Sequence, residues 1–238
     1  MIEIHRQERV GDLVTRHPSL SKSFAQAGID FCCGGGRTLD EACREAGCEP
    51  EELLADLRRT LSRDEAQEPD LRAMSLTQLV EHILEQHHAY LRTEHPHLDM
   101  LTEKVALVHG SKDDRLEAVR LEFIGLFEEL FDHMAKEEQV LFPMICQLEA
   151  SDRAPDFHCG SLANPIGQME REHEAVGSAL RRLRALTDGY QAPDWACNTY
   201  RAMVDGLARL EHDIHVHVHK ENNVLHPAAL ELEARRQS

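Results

Sequence analysis

The sequence predicts an all-α protein: a small N-terminal helical domain followed by an antiparallel four-helix bundle. Three observations carry that expectation. Aromatic residues are only 5% of the chain, and no region sustains apolar–polar alternation between turn signals. Apolar residues instead recur three and four positions apart along four long segments. Short connections separate those segments, which is how antiparallel neighbours are joined.

The elements follow in order. Pro18 stands where a helix begins and Gly28 where one ends. Thr38, Leu39, Asp40 and Glu41 form a capping box that opens a helix running to about Gly47. Glu49, Pro50 and Glu51 start another, ending near Leu61. The charged stretch SRDEAQEPD (62–70) reads as a linker. The expected boundaries are therefore 1–61 for the N-terminal domain, 62–74 for the linker and 75–238 for the bundle. A second capping box at Ser75–Gln78 opens a helix to about 108, with Pro96 expected to kink it. A second long helix covers about 114–149, a loop 151–165, a third helix about 164–188 and a fourth about 194–235.

Composition sets limits. A net charge of −17 repels phosphate backbones, so nucleic acid is not an expected partner. No apolar run approaches the roughly 20 residues of a membrane span. The first residues lack the apolar core of a signal peptide, so the expected location is the cytoplasm, with reduced thiols.

The stretch HVHVHKENNVLHP (215–227) tests strand against helix. As a strand it would align His215, His217 and His219 on one face. As a helix it continues the stripe Leu207, Leu210, Ile214, His217, Glu221, Val224, Ala228 without a break. The helical reading wins, because HMAKEEQVLFP (133–143) matches it at six of eleven positions and lacks the alternation. What the two copies share is His-x-x-x-Glu. The second helix has the stripe Phe123, Leu126, Leu130, His133, Glu137, Val140, Met144. The third has Ile166, Met169, His173, Val176, Leu180, Leu183, and the first Val80, Leu84, His88, Leu91. Each long helix thus carries a histidine on its core stripe. His212, His215 and His219 fall off the stripe and are expected to be solvated.

Residues four apart stack on one helix face, so His133 with Glu137 and His217 with Glu221 can aim at one point. A carboxylate on a core stripe is costly unless it is paired or metal-bound. Four imidazoles and two carboxylates make a nitrogen–oxygen donor set suited to iron, zinc or manganese. Six side chains fit two ions better than one, with His88, His133, His173 and His217 as terminal ligands and Glu137 and Glu221 bridging. Glu129 and Glu172 are acids able to balance the remaining charge. His87 is an alternative to its neighbour His88. Two histidines per ion leave positions open for small molecules.

Cys32 and Cys33 precede three glycines and the helix capped by Thr38. The glycines would permit unusual backbone angles, and the helix N-terminus would favour thiolate. Such a pair is able to bind metal, form a vicinal disulfide or engage a partner. Cys43, Cys146 and Cys197 are expected to be small buried hydrophobes.

At these residues the chain resembles hemerythrin-like di-iron proteins. Through the two His-x-x-x-Glu segments, EEQVLFPMI, ENNVLHP and the N-terminal GIDFCCGGGRTLDEA, it is most similar to the iron–sulfur cluster repair di-iron family (the ScdA/YtfE group). The resemblance spans nearly the whole chain. It implies two iron ions on the six residues named, a homodimer, and a role in restoring iron–sulfur clusters damaged by oxidative or nitrosative stress. Damaged iron–sulfur proteins would then be partners. The alternative is a scavenger or sensor that binds nitric oxide or dioxygen, with nitric oxide reduction as a further possibility that would make it an enzyme.

Overall fold

In the computed structural model, residues 4–63 and 70–237 are described. Of the expected linker, 64–69 lie outside them, 62 and 63 belong to the helix Pro50–Arg63, and Leu71–Ala73 form a 3-10 turn. Among the described residues the regular elements are all helices, apart from one isolated antiparallel bridge between Arg9 and Thr38. They form two compact units. One holds the chain up to Val80, with Ile145–Asp156 and the chain from His215 onwards. The other holds Glu81–Met144 and Phe157–Ile214.

The N-terminal elements are short: α1 (Val10–Arg16), a 3-10 turn (Pro18–Leu20), α2 (Ser21–Gln26), α3 (Leu39–Ala46) and α4 (Pro50–Arg63). The capping box of α3 forms as its sequence requires. Thr38 Oγ1 accepts from the Glu41 backbone N–H, and Glu41 accepts from that of Thr38. Gly47 ends the helix at φ 69°, a left-handed turn that glycine adopts at little cost.

The long helices are α5 (Leu76–Ile83), α6 (Ala89–His109), α7 (Arg115–Lys136), α8 (Phe142–Ala150), α9 (Ala163–Leu186), α10 (Asn198–Lys220) and α11 (His226–Gln237). Short π turns join three pairs of them into continuous rods: Leu84–His88, Glu137–Leu141 and Glu221–Leu225. A π turn holds one residue more than the α-helix would, so everything beyond it rotates by one position.

That rotation corrects the sequence stripes. Beyond Glu137 the expected core residue Met144 is buried, but Val140 is 40% exposed and Leu141 and Ile145 are buried instead. Beyond Glu221 the core takes Leu225 and Ala229 in addition to Val224, and Ala228 is only half-buried. In the first rod Ile83 is buried and Leu84 only partly so. In α9, which has no π turn, Ile166, Met169, His173, Val176, Leu180 and Leu183 are all buried as expected.

Candidate metal centre

The unit formed by Glu81–Met144 and Phe157–Ile214 brings four of the expected ligands together. Glu137 is fully buried, and each of its oxygens faces a different histidine. Oε1 lies 3.2 Å from His133 Nε2, and Oε2 lies 3.3 Å from His88 Nε2. His173 Nε2 lies 3.0 Å from His133 Nε2. Two ligands at right angles and roughly 2.1 Å from an ion are about 3.0 Å apart, so this pair has the spacing of two nitrogens on one metal.

The outer ring nitrogens explain the inward ones. His88 Nδ1 lies 2.7 Å from Glu138 Oε1, and His133 Nδ1 lies 3.0 Å from Glu172 Oε2. An ionised carboxylate only accepts, so each Nδ1 carries the proton and donates it. In the neutral ring each Nε2 then presents its lone pair toward a Glu137 oxygen. Lone pairs and a carboxylate gathered at 3.0–3.3 Å in a dry interior call for a positive charge among them. The donor set thus fits a bound cation, and carboxylates behind the histidines are the usual support of such ligands.

Both supporting carboxylates are held ionised. Burial alone would raise Glu172, but hydrogen bonds from Lys136, Gln168 and His133 bring it down to about 2. Burial likewise works against Glu138, and the His88 and Arg92 hydrogen bonds outweigh it. Of the charge-balancing acids suggested by sequence, Glu172 stands at His133 and Glu129 is exposed. Glu138 was not foreseen. Its signal was the Glu137–Glu138 pair, with Arg92 one turn beyond His88. His88 faces Glu137, whereas the buried His87 places Nδ1 2.9 Å from Asp213.

The other unit carries the second His-x-x-x-Glu pair. His217 Nε2 lies 3.0 Å from Glu221 Oε1, and both side chains are buried. As at Glu137, the π turn begins at the glutamate. The two copies also share a proline six residues on, Pro143 and Pro227. Proline has no N–H for the fourth carbonyl back and crowds it, so a helix opens just before it. That proline was the legible sign of both turns.

In the same unit the Cys32–Cys33 loop packs against the turn that carries Glu221. Asn223 Nδ2 donates to the Cys32 carbonyl at 2.9 Å. His219 lies against this loop, with Nδ1 3.2 Å from the Phe31 carbonyl and Nε2 3.1 Å from Thr15 Oγ1. His219 is thus buried rather than solvated, and burial pushes its imidazole down to about 4. His212 and His215 are half-buried.

Two expectations about the loop are corrected. Gly34, Gly35 and Gly36 are not among the positive-φ glycines. Gly35 is there for close approach: a Cβ on it would stand 2.5 Å from Asn223 Oδ1 and 2.6 Å from the Phe31 carbonyl. Nor is Cys32 poised as a thiolate. Its neighbour Cys33, its burial and Asp30 push its thiol well above the ordinary value. The backbone N–H groups of Cys32 and Cys33 are engaged by Asp30 Oδ1, at 3.1 and 2.9 Å. Of the cysteines expected to be buried, Cys43 is, Cys146 is half-buried and Cys197 is exposed.

Residues 79–229 match the hemerythrin HHE cation binding domain, and residues 6–60 match a domain of unknown function, DUF542. The iron-sulfur cluster repair protein YtfE of Yersinia pseudotuberculosis serotype IB (strain PB1/+) is 36% identical over 226 residues, covering 95% of this chain and 98% of the relative. That of Yersinia pestis (strain Pestoides F) matches to the same extent. The chain belongs to the YtfE family of hemerythrin-domain proteins. Its cation-binding domain spans all six expected ligands, and the cysteine loop lies within the N-terminal match.

Proposed function

We propose that this protein is a non-haem di-iron protein that restores iron–sulfur clusters damaged by oxidative or nitrosative stress. His88, His133, Glu137, His173, His217 and Glu221 would hold the two ions, with Glu137 and Glu221 as the carboxylates shared between them. The observation that carries the reading is the fully buried Glu137, whose two oxygens face two different histidines. A carboxylate used that way serves two ions, and the repeated His-x-x-x-Glu segment supplies the second bridge. The relatives' name, iron-sulfur cluster repair protein, supports the biological half. When bound, the iron pair supplies redox change and iron held less tightly than in a closed structural site.

The chain's own residues bind and orient. Glu138 and Glu172 fix the tautomers of His88 and His133, and the surrounding apolar core excludes water. The protein is read as a cytoplasmic homodimer; among the described residues no helix is long and apolar enough to cross a membrane. The test is anaerobic purification followed by iron analysis, Mössbauer spectroscopy and reactivation of a nitric oxide-damaged [4Fe–4S] hydratase. Two irons per chain and restored hydratase activity are expected. Protein carrying one iron or none, or giving no reactivation with two, overturns the reading.

A second reading rests on the donor count. With two histidines and two shared carboxylates for each ion, the proposed set would supply four protein donors, and an ion that prefers six would keep positions for nitric oxide or dioxygen. Nitrous oxide formed in a single turnover would identify reduction, and spectral change without it would identify binding.

A further inference from the structure

Outside the histidine–glutamate donors, a second group of side chains converges in the unit that holds the N-terminal elements. Cys32 Sγ lies 3.9 Å from Cys33 Sγ and 3.2 Å from Asp30 Oδ1. One donor atom from each of the three residues lies within 4.8 Å of the others. We infer that Asp30, Cys32 and Cys33 form a second metal site, which takes one borderline-soft divalent ion such as Fe(II) or Zn(II) at an open, thiolate-rich position.

The spacing matches such an ion. At roughly 2.3 Å for sulfur and 2.0 Å for oxygen, the edges of a tetrahedron are about 3.8 Å between two sulfurs and about 3.5 Å between sulfur and oxygen. The two edges that meet at Cys32 are therefore already within a few tenths of an ångström of the distances an ion needs, and the third lies within 4.8 Å. The loop is also held in place before any ion arrives. Asp30 accepts the backbone N–H groups of Cys32 and Cys33, Asn223 holds the Cys32 carbonyl, and Gly35 lets that asparagine approach.

Charge gives the second argument. Two thiolates beside a carboxylate would place three negative charges in a half-dry loop, which is why the buried Cys32 keeps its proton. A divalent ion takes the place of the two thiol protons, which leave to solvent, so both thiolates form while the group keeps the net charge of −1 that it has with both thiols protonated. Two sulfurs favour iron or zinc over the hard cations magnesium and calcium. Cys33 is exposed, so the fourth position faces outward, within reach of a donor from solvent or from another protein. The Asn222 amide, 4.0 Å from Cys33 Sγ, lies on the turn that carries Glu221. A role as a staging post for iron rests on the repair reading; the binding site itself does not.

The test uses full-length apo-protein, reduced with a non-thiol reductant and titrated without air with Co(II). Histidine and carboxylate ligands give no sulfur-to-cobalt charge-transfer band in the near ultraviolet, so that band reports thiolate binding, and the part of it lost in C32A/C33A belongs to this site. Expected are the band in wild type, its loss in C32A/C33A, and unchanged cobalt binding at the histidine–glutamate centre of that variant. Because Cys33 is exposed, C33A removes one sulfur without disturbing the core, and the band should fall to about half. D30N should weaken binding by about tenfold or more. No band in wild type, a band that survives in C32A/C33A, or wild-type affinity in D30N overturns the inference. A band that behaves as expected in a protein without repair activity leaves the site standing and removes only the repair reading.

Discussion

Removing the Glu138 carboxylate should weaken metal binding without unfolding the protein. Glu138 Oε1 accepts from His88 Nδ1 at 2.7 Å and from Arg92 Nη2 at 2.7 Å. The His88 ring is fully buried, and that oxygen holds its Nδ1 proton in place. A charge-assisted hydrogen bond contributes roughly 1.5–3 kcal/mol. Glu138 is 28% exposed, so water replaces part of what is lost and the lower end applies. At 1.4 kcal/mol per decade, E138A should then cost about tenfold in metal affinity. In E138Q an amide oxygen still accepts from Nδ1 without the charge, and the cost should be roughly threefold. The assay is anaerobic competition for Zn(II) or Fe(II) against a chromophoric chelator, with apo-protein melting as control. If E138A holds metal within about twofold of wild type while melting normally, the claim that Glu138 supports a metal-binding His88 is wrong.

Other perturbations test the rest of the structure. G35A should lower stability by about 2 kcal/mol in urea denaturation, because its Cβ meets the Asn223 side chain and the Phe31 backbone carbonyl. Combining it with N223A should recover only part of the loss, since the backbone contact remains; full recovery would count against this packing. Glu149 caps α5 by accepting from the Leu76 and Thr77 N–H groups. Burial would raise its carboxyl, but these bonds and the Thr77 hydroxyl hold it below its ordinary value. Its contribution is therefore full above the ordinary glutamate range and is lost as pH falls through the lowered folded value. E149Q should cost about 1 kcal/mol at pH 7 and flatten that acid limb. Deleting Gln139 should leave apo-protein stability unchanged or raised while reducing metal affinity by about tenfold or more.

Much of the site was legible because histidine and glutamate four apart have one consequence in a helix, whatever surrounds them. The stripes up to His133 and His217 held for the same reason. Past those residues the pattern became ambiguous. Val140 and Leu141 are both apolar, and only an inserted residue decides which turns inward. His219 was misread because it lies off the stripe, and what covers it is a loop almost two hundred residues earlier in the chain. The Cys32 thiol was misread for a related reason. Glycines before a helix suggested free N–H groups, yet Asp30, two residues before Cys32, engages those of the cysteines themselves.

The Gln139 deletion follows from asking why a helix keeps a π turn at all. The turn replaces well-aligned four-residue hydrogen bonds with longer loops, and it persists only where something else depends on it. Gln139 is exposed, so no packing is lost with its side chain. Removing one residue returns the rod to α geometry, and Leu141 and Ile145 then occupy the three- and seven-residue steps from Glu137, where an unbroken stripe would put them. The apolar core beyond the turn is therefore satisfied either way. What changes is Glu138, which lies inside the turn and is aimed at His88 from there. Closing the turn swings Glu138 away from His88 while His133, one α-helical step before Glu137, stays where it is. Stability and metal affinity should separate in this variant. A deletion that unfolds the apo-protein would assign the turn to packing, and one that binds metal like wild type would leave it without a part in the centre.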